Sequence, residues 1–333
     1  MNLPIYQHPS LTVLIDDSDN FLRSLSFQLD PTLASKAFHD TRSALHWLRQ
    51  QSGPCTGAER TLSASFDAYP REVPQYGVAL DLEQIHRISF QRKRFLTPSV
   101  VVVDYLMPQM NGIELCEAIR DLPCKKILFT GVADERVAVD AFNRGLIDRY
   151  IKKSDENALD RLEREIETLQ RDFFTARSEP LRDLLALHSY SFVSDPAVAT
   201  LVRELVAERG IVEHYLYQNP AGLLMYDTAG KPLLLVMETE AGMNAHYEIA
   251  NDNNAPQSLL DALQERRVIP YFRDGDGMYT AAYRNTWHRY IEAAQVCRGE
   301  QTYFWALFEL SADQLPGEAL SYNDFLRNHQ VTY

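Results

Sequence analysis

Val100-Val101-Val102-Val103-Asp104-Tyr105-Leu106-Met107-Pro108-Gln109-Met110-Asn111-Gly112 is an apolar run that stops at an aspartate and gives way to a turn. Four consecutive valines show no alternation, as expected of a parallel strand buried on both faces. Upstream, Leu11-Thr12-Val13-Leu14-Ile15 ends the same way at Asp16 and Asp17, and downstream Ile127-Leu128-Phe129 ends at Thr130. A fourth run, Leu146 to Ile151, ends at Lys152 and Lys153. Helical stripes lie between the runs: Phe21, Leu22, Leu25 and Leu29 until Pro31; Ala44, Leu45, Trp47 and Leu48; Ile113 to Ile119; Val137 to Phe142. Strand alternating with helix predicts a doubly wound α/β unit, whose ligand site lies outside the carboxyl ends of the strands.

The residues collected at those ends are Asp16, Asp17, Asp104, Thr130 and Lys153. Three carboxylates drawn together repel one another unless a cation balances them. Mg²⁺ suits such a site because it takes oxygen ligands, keeps several waters and bridges carboxylates to phosphoryl groups. A lysine ammonium and a threonine hydroxyl supply the charge and the hydrogen bond that a transferred phosphoryl group needs. This chemistry points to phosphorylation rather than hydrolysis.

With those residues in place, residues 10 to 155 resemble the receiver domain of two-component response regulators, and the Val100–Gly112 segment matches that family's phosphoacceptor strand and turn position by position. The resemblance implies a flavodoxin-like fold and a receiver that catalyses its own phosphorylation from a sensor histidine kinase or phosphotransfer protein. It further implies that Asp104 is the modified nucleophile, that Asp17 binds Mg²⁺ directly and Asp16 through water, and that the Leu106 carbonyl is another metal ligand. Thr130 takes the family's hydroxyl position, Lys153 its lysine and Tyr150 its switch aromatic. Lys152 competes for the lysine role because Ser154 stands where the family has proline; Lys153 is preferred for standing three residues after Tyr150. Gly131 departs from the usual alanine. A phosphoryl group on Asp104 adds negative charge and acceptor oxygens, which can draw Thr130 inward and let Tyr150 rotate.

The long segment from about 52 to 97 does not belong to the alternation and exceeds a connecting loop. It is expected at the amino edge of the sheet, and its charge run Arg92-Lys93-Arg94 reads as a solvated face. After Ser154, Leu159, Leu162, Ile166, Leu169 and Phe173 form a heptad-like seam that ends near Ser178-Glu179-Pro180. The seam is either the face of a last helix packed on its own sheet or a dimer contact with a second chain, and about two heptads leave both readings open. A helical linker over 156–180 is expected between a receiver at 1–155 and an output domain at 181–333.

The chain has 333 residues, enough for two such domains, and a net charge of -13 that disfavours nucleic acid or anionic lipid except at a local patch. Residues 181–333 carry 11 basic and 20 acidic side chains. Asp195-Pro196 opens a helix that Gly210 ends, and strands at Ile211–Tyr217, Gly222–Tyr226, Leu233–Glu238 and Thr302–Leu310 predict an α+β output domain. Three outputs are compatible with this composition. One is protein or ligand binding, through aromatics such as Tyr271 and Trp305. A second is nucleic-acid binding through Arg266, Arg267, Arg273, Arg284 and Arg289. The third is a nuclease-like site at Asp227, Glu238 and Glu240, the two glutamates sharing a strand face. His214, His246 and His288 read as packed or surface residues, and Asp274-Gly275-Asp276 as a turn. Four cysteines without C-x-x-C spacing, no membrane-length apolar run and no signal-peptide layout predict a cytoplasmic protein. In arrangement, the chain resembles the quorum-sensing response regulators of the Legionella type, implying signal-dependent and possible transcriptional regulation through a phosphorylated homodimer.

Overall fold

The computed structural model describes residues 3–51, 62–66, 76–131, 135–186, 190–275 and 277–329. From the amino end come β1 (Tyr6–Gln7), β2 (Leu11–Ile15), α1 (Asp19–Gln28), β3 (Ser35–Phe38), α2 (Thr41–Gln51), β4 (Leu62–Phe66), β5 (Tyr76–Leu80) and α3 (Glu83–Arg87). Next are β6 (Pro98–Val103), α4 (Gly112–Ala118), β7 (Lys125–Thr130), α5 (Glu135–Asn143), β8 (Arg149–Lys152) and the long α6 (Ala158–Ala186). The remainder is α7 (Pro196–Arg209), β9 (Ile211–Tyr217), β10 (Gly222–Asp227), β11 (Pro232–Thr239), α8 (Glu240–Asp252), α9 (Gln257–Gln264), β12 (Val268–Pro270), β13 (Ile291–Ala293), β14 (Gln295–Arg298), β15 (Thr302–Glu309) and α10 (Tyr322–His329).

One compact unit comprises His8–Cys55, Gln91–Ala176 and Tyr322–Tyr333. Its parallel sheet has the order β3-β2-β6-β7-β8. The valine run explains itself here: Val101 and Val103 face a core shared with α2, α4 and α5, while Val100 and Val102 face a second core shared with α1 and α6. Within that second core lie Leu162, Ile166 and Leu169, so the seam of α6 is buried against its own sheet. The edge strand β3 is only half-buried, and its Ser-Lys-Ala-Phe sequence gives no apolar run by which to foresee it. Although last in sequence, α10 belongs to this unit, with the Tyr322 O–H donating to the Thr32 carbonyl (2.5 Å) and Phe325 packing 5.2 Å from Phe95. Arg92 and Lys93 are exposed, but Arg94 is buried with its guanidinium 3.9 Å from the Phe95 ring, which corrects the reading of all three as a solvated face.

The other unit comprises Met1–Gln7, Thr56–Phe90 and Arg177–Ser321. Its six-stranded sheet runs β1-β9-β10-β11-β15-β14, every pairing antiparallel. Asp195 caps α7 by accepting the Ala197 amide (2.9 Å), Pro196 fills its first turn and Gly210 ends it at φ 63°. Most of the long segment, Thr56–Phe90, belongs to this unit. It contributes the β4–β5 hairpin and α3, whose His86 ring lies 5.0 Å from Tyr217, while Tyr226 O–H donates to Ser89 Oγ (3.2 Å). Cys55 and Asp276 lie outside the described residues.

The division between the units falls inside α6, between Ala176 and Arg177. No linker interrupts the chain at Ser178-Glu179-Pro180, because α6 continues through Pro180. A proline there costs one amide donor. Burial of Leu181 and Leu185, and of Ser178, whose Oγ accepts the Ile5 amide (3.0 Å), offsets that loss.

His214 on β9 is buried and donates from Nε2 to the Pro4 carbonyl (3.1 Å). Burial pushes its pKa down from 6.5 to about 4. The unfolded chain therefore binds a proton that the folded one refuses, and stability is lost as pH falls from about 6.5 toward 4, by on the order of 2–3 kcal/mol. His214→Gln, which keeps a donor but does not titrate, is expected to flatten that acid slope in urea melts recorded across this window; an unchanged slope would contradict the assignment.

Candidate functional site

At the carboxyl end of the parallel sheet, the ladder bonds continue one residue past the strands. The Asp104 amide donates to the Ile15 carbonyl (2.9 Å), the Asp16 amide to Phe38 (3.2 Å) and the Lys153 amide to Thr130 (2.9 Å). Asp16, Asp104 and Lys153 are thereby delivered to one place by three strands. Both carboxylates are nearly buried, at 5% and 7% exposure. The Lys153 ammonium donates to Asp16 Oδ2 and to Asp104 Oδ1, the latter at 2.8 Å. Asp16 Oδ1 accepts the Ser18 amide (3.0 Å) and Asp104 Oδ2 the Leu106 amide (2.7 Å). Every carboxylate oxygen of the pair thus has a donor, and one ammonium serves two negative charges.

The turn after β6 is fixed by backbone needs. Gln109 adopts φ 70°, and Asn111 caps α4 in a reciprocal box with Glu114, both bonds 2.9 Å. Gly112 packs directly on the Asp104 carbonyl, leaving no room for a Cβ.

Lys152 pairs with Glu135 (2.5 Å) on the surface, so Lys153 is the lysine that reaches the carboxylates. Thr130 is buried at the end of β7, Asp17 is exposed beside Asp16, and Leu106 is 52% exposed. Tyr150 packs against the first core, and its buried hydroxyl has no hydrogen-bond partner among the described residues. Burial raises the pKa of that phenol. Sequence reasoning missed Phe21, whose ring centroid lies 4.1 Å from Lys153 Nζ, with Phe129 at 6.0 Å. Its place in the apolar stripe of α1 marked it only as core. The two carboxylates and Phe21 border a small cleft lined otherwise by apolar side chains, among them Leu22, Val102 and Phe129.

Asp16 and Asp104 meet at one ammonium, and Asp17 and Leu106 stand one and two residues from them in the chain, so the available donors are all hard oxygens. Mg²⁺ commonly uses one or two carboxylates and completes its shell with water, so the residues fit it even though no group of three acidic, His or Cys side chains converges as a metal cage among the described residues.

Among its described residues, the antiparallel unit gathers no comparable cluster. Arg266 bonds Glu240 (2.7 Å) and Arg267 bonds Glu265 (2.6 Å), while Arg273 lies over Tyr271 (5.8 Å); Arg284 and Arg289 are exposed. Two of the five proposed nucleic-acid contacts are therefore already neutralised. Asp227 accepts the Ala229 and Lys231 amides in its own turn, Glu238 faces His246 (3.2 Å) and Glu240 holds Arg266. Glu240 opens α8 rather than continuing β11, so it does not share a strand face with Glu238. His288 is exposed, and Asp274 accepts the Tyr283 hydroxyl (2.9 Å).

The fold and the strand-end carboxylates define a receiver domain. The family model for the response regulator receiver domain matches residues 76–163, beginning within the inserted segment and so leaving out β2. The solved response regulator LqsR of Legionella pneumophila is 34% identical over 98% of this chain and 97% of its own, with a TM-score of 0.78. The chain belongs to the response regulators. Two further solved structures match half of it: an adenylate cyclase from Rhodopirellula baltica (19% identity, 52% of this chain and 97% of that one, TM-score 0.34) and a Francisella response regulator receiver domain (14%, 49% and 98%, TM-score 0.32). Among curated proteins nothing matches the sequence.

Proposed function

We propose that Asp104 accepts a phosphoryl group from a histidine kinase or phosphotransfer protein, and that this modification switches the antiparallel unit as output. The observation that carries the reading is the Lys153 ammonium shared by Asp16 and Asp104 at the ends of three parallel strands. In the transfer, an Asp104 carboxylate oxygen attacks phosphorus, the P–N bond to the donor imidazole breaks, and the imidazole leaves with the electron pair. Asp16, Asp17, Asp104 and the Leu106 carbonyl would hold Mg²⁺, which supplies positive charge to the transferring oxygens. Lys153 turns from the carboxylate pair to the new phosphoryl oxygens, and the Thr130 hydroxyl donates to them.

The signal leaves through Tyr150. Its hydroxyl, unbonded among the described residues, and its packing against the core that α5 shares support a rotation that repositions this helix. Val139 and Phe142 are exposed on α5, at 58% and 56%, and give the phosphorylated form an apolar surface for a homodimer. The buried seam of α6 gives it none.

Incubation of the full chain with acetyl phosphate and Mg²⁺ tests the reading. Label is expected on the wild type, mapped to Asp104, and absent from Asp104→Asn. Equal labelling of that variant would overturn the assignment, and an unchanged size on chromatography after labelling would remove the dimer.

A further inference from the structure

The lysine at the centre of the site is held from two sides. Asp16 and Asp104 take its N–H groups, and the face of Phe21 stands 4.1 Å from its nitrogen on another. The position of that ring is not incidental to α1. Asp16 Oδ1 accepts the Ser18 amide, Ser18 Oγ accepts the Phe21 amide (3.3 Å) as the helix cap, and α1 carries the ring back over the carboxylate from which the turn started. Phe21 also borders, with Asp16 and Asp104, a small cleft of mainly apolar lining, and both carboxylates are nearly buried, which strengthens the attraction between a cation and an aromatic face.

We infer that Phe21 is a positioning residue that holds Lys153 across Asp16 and Asp104 in the resting protein, and so sets how readily a divalent cation displaces the ammonium from the oxygens they share. The inference rests on the phosphoacceptor reading and adds to it a gate belonging to this chain. A metal ion and Lys153 compete for Asp16 and Asp104. Any group that favours the ammonium in its bridging place raises the metal concentration needed to load the site. Leucine at position 21 keeps apolar bulk but removes the ring face, whereas tyrosine keeps the face.

Two measurements on the full-length chain test this. In metal-free protein with isotope-labelled lysine, the Lys153 ε-methylene resonance is expected to show an upfield ring-current shift that Phe21→Tyr retains and that Phe21→Leu reduces to the smaller part due to Phe129 at 6.0 Å. Magnesium titration by calorimetry is then expected to give Phe21→Leu an affinity about three- to tenfold higher than that of the wild type, with Phe21→Tyr unchanged. Phe21→Met serves as a second non-aromatic variant should leucine unfold the domain. A ring-current shift that is undiminished in the non-aromatic variants overturns the inference, as does a magnesium affinity equal in all forms. A wild-type chain that shows the shift yet binds no magnesium and takes no phosphoryl group fails the phosphoacceptor reading, and the gate falls with it; equal affinities in a chain that does load and label remove the gate alone.

Discussion

Gly112→Ala is expected to cost the parallel-sheet unit about 4 kcal/mol and to abolish most phosphoryl uptake at Asp104. A Cβ at this position would lie 2.2 Å from the Asp104 carbonyl oxygen, 3.0 Å from its carbonyl carbon and 3.2 Å from Val103 Cγ2. Two of these neighbours are backbone at the end of a buried strand and cannot rotate away. Gly112 is also the first residue of α4, its amide donates to the Tyr105 carbonyl (3.1 Å), and the Asn111–Glu114 box fixes the helix start beside it. Relief therefore requires either α4 or Asp104 to move. The phosphoacceptor is displaced in either case. Gly131→Ala is the internal control, because among the described residues a Cβ there meets nothing within 4 Å. Urea denaturation followed by circular dichroism should show a large drop in midpoint for the first variant and none for the second. Equal midpoints would mean that the turn after β6 yields without cost, and the coupling between α4 and Asp104 would be wrong.

How far the sequence carries depends on whether a feature is local. The valine run could be read as a two-faced strand because its neighbours on both faces are apolar, and the strand ends named the polar cluster once the alternation was seen. The β3 strand was invisible because an edge strand in contact with solvent needs no apolar run. Seam and dimer contact share one pattern, since a helix packed on a sheet and a helix packed on another helix bury the same spacing of leucines. Pro180 looked like a stop, yet buried Leu181 and Leu185 carry the helix through it. Most of what was missed is long-range. The pairing of Tyr6 with Tyr215, the membership of Thr56–Phe90 in the antiparallel unit and the return of α10 to the parallel one join residues far apart in sequence. At the site, the polar residues were legible from type and position, but Phe21 was not: its role comes from what its ring faces, and periodicity reports only which side of the helix is apolar.

Lys153→Met should destabilise the parallel-sheet unit by about 3–5 kcal/mol, because removal of one partner from a buried ionic cluster leaves the other charges uncompensated. The side chains of Asp16 and Asp104 are only 6% and 8% exposed, and without the ammonium each keeps a single amide donor, from Ser18 and Leu106 respectively. Methionine replaces the apolar stem of the lysine and not its charge, so the loss measures electrostatics more than packing. Two remedies separate this account from a cavity effect. Adding Asp16→Asn to Lys153→Met removes one of the two stranded charges and is expected to restore part of the stability, a coupling that a double-mutant cycle reads directly. Magnesium should also stabilise Lys153→Met more than the wild type, since the metal no longer competes with an ammonium for the same oxygens. Lys152→Met, which loses only a surface pair with Glu135, should leave the melting midpoint where it is. If the Lys153 variant melts with the wild type, or if neither the second substitution nor the metal changes its midpoint, then Lys153 is not the counter-charge of the carboxylate pair, and the resting site must be balanced by something else.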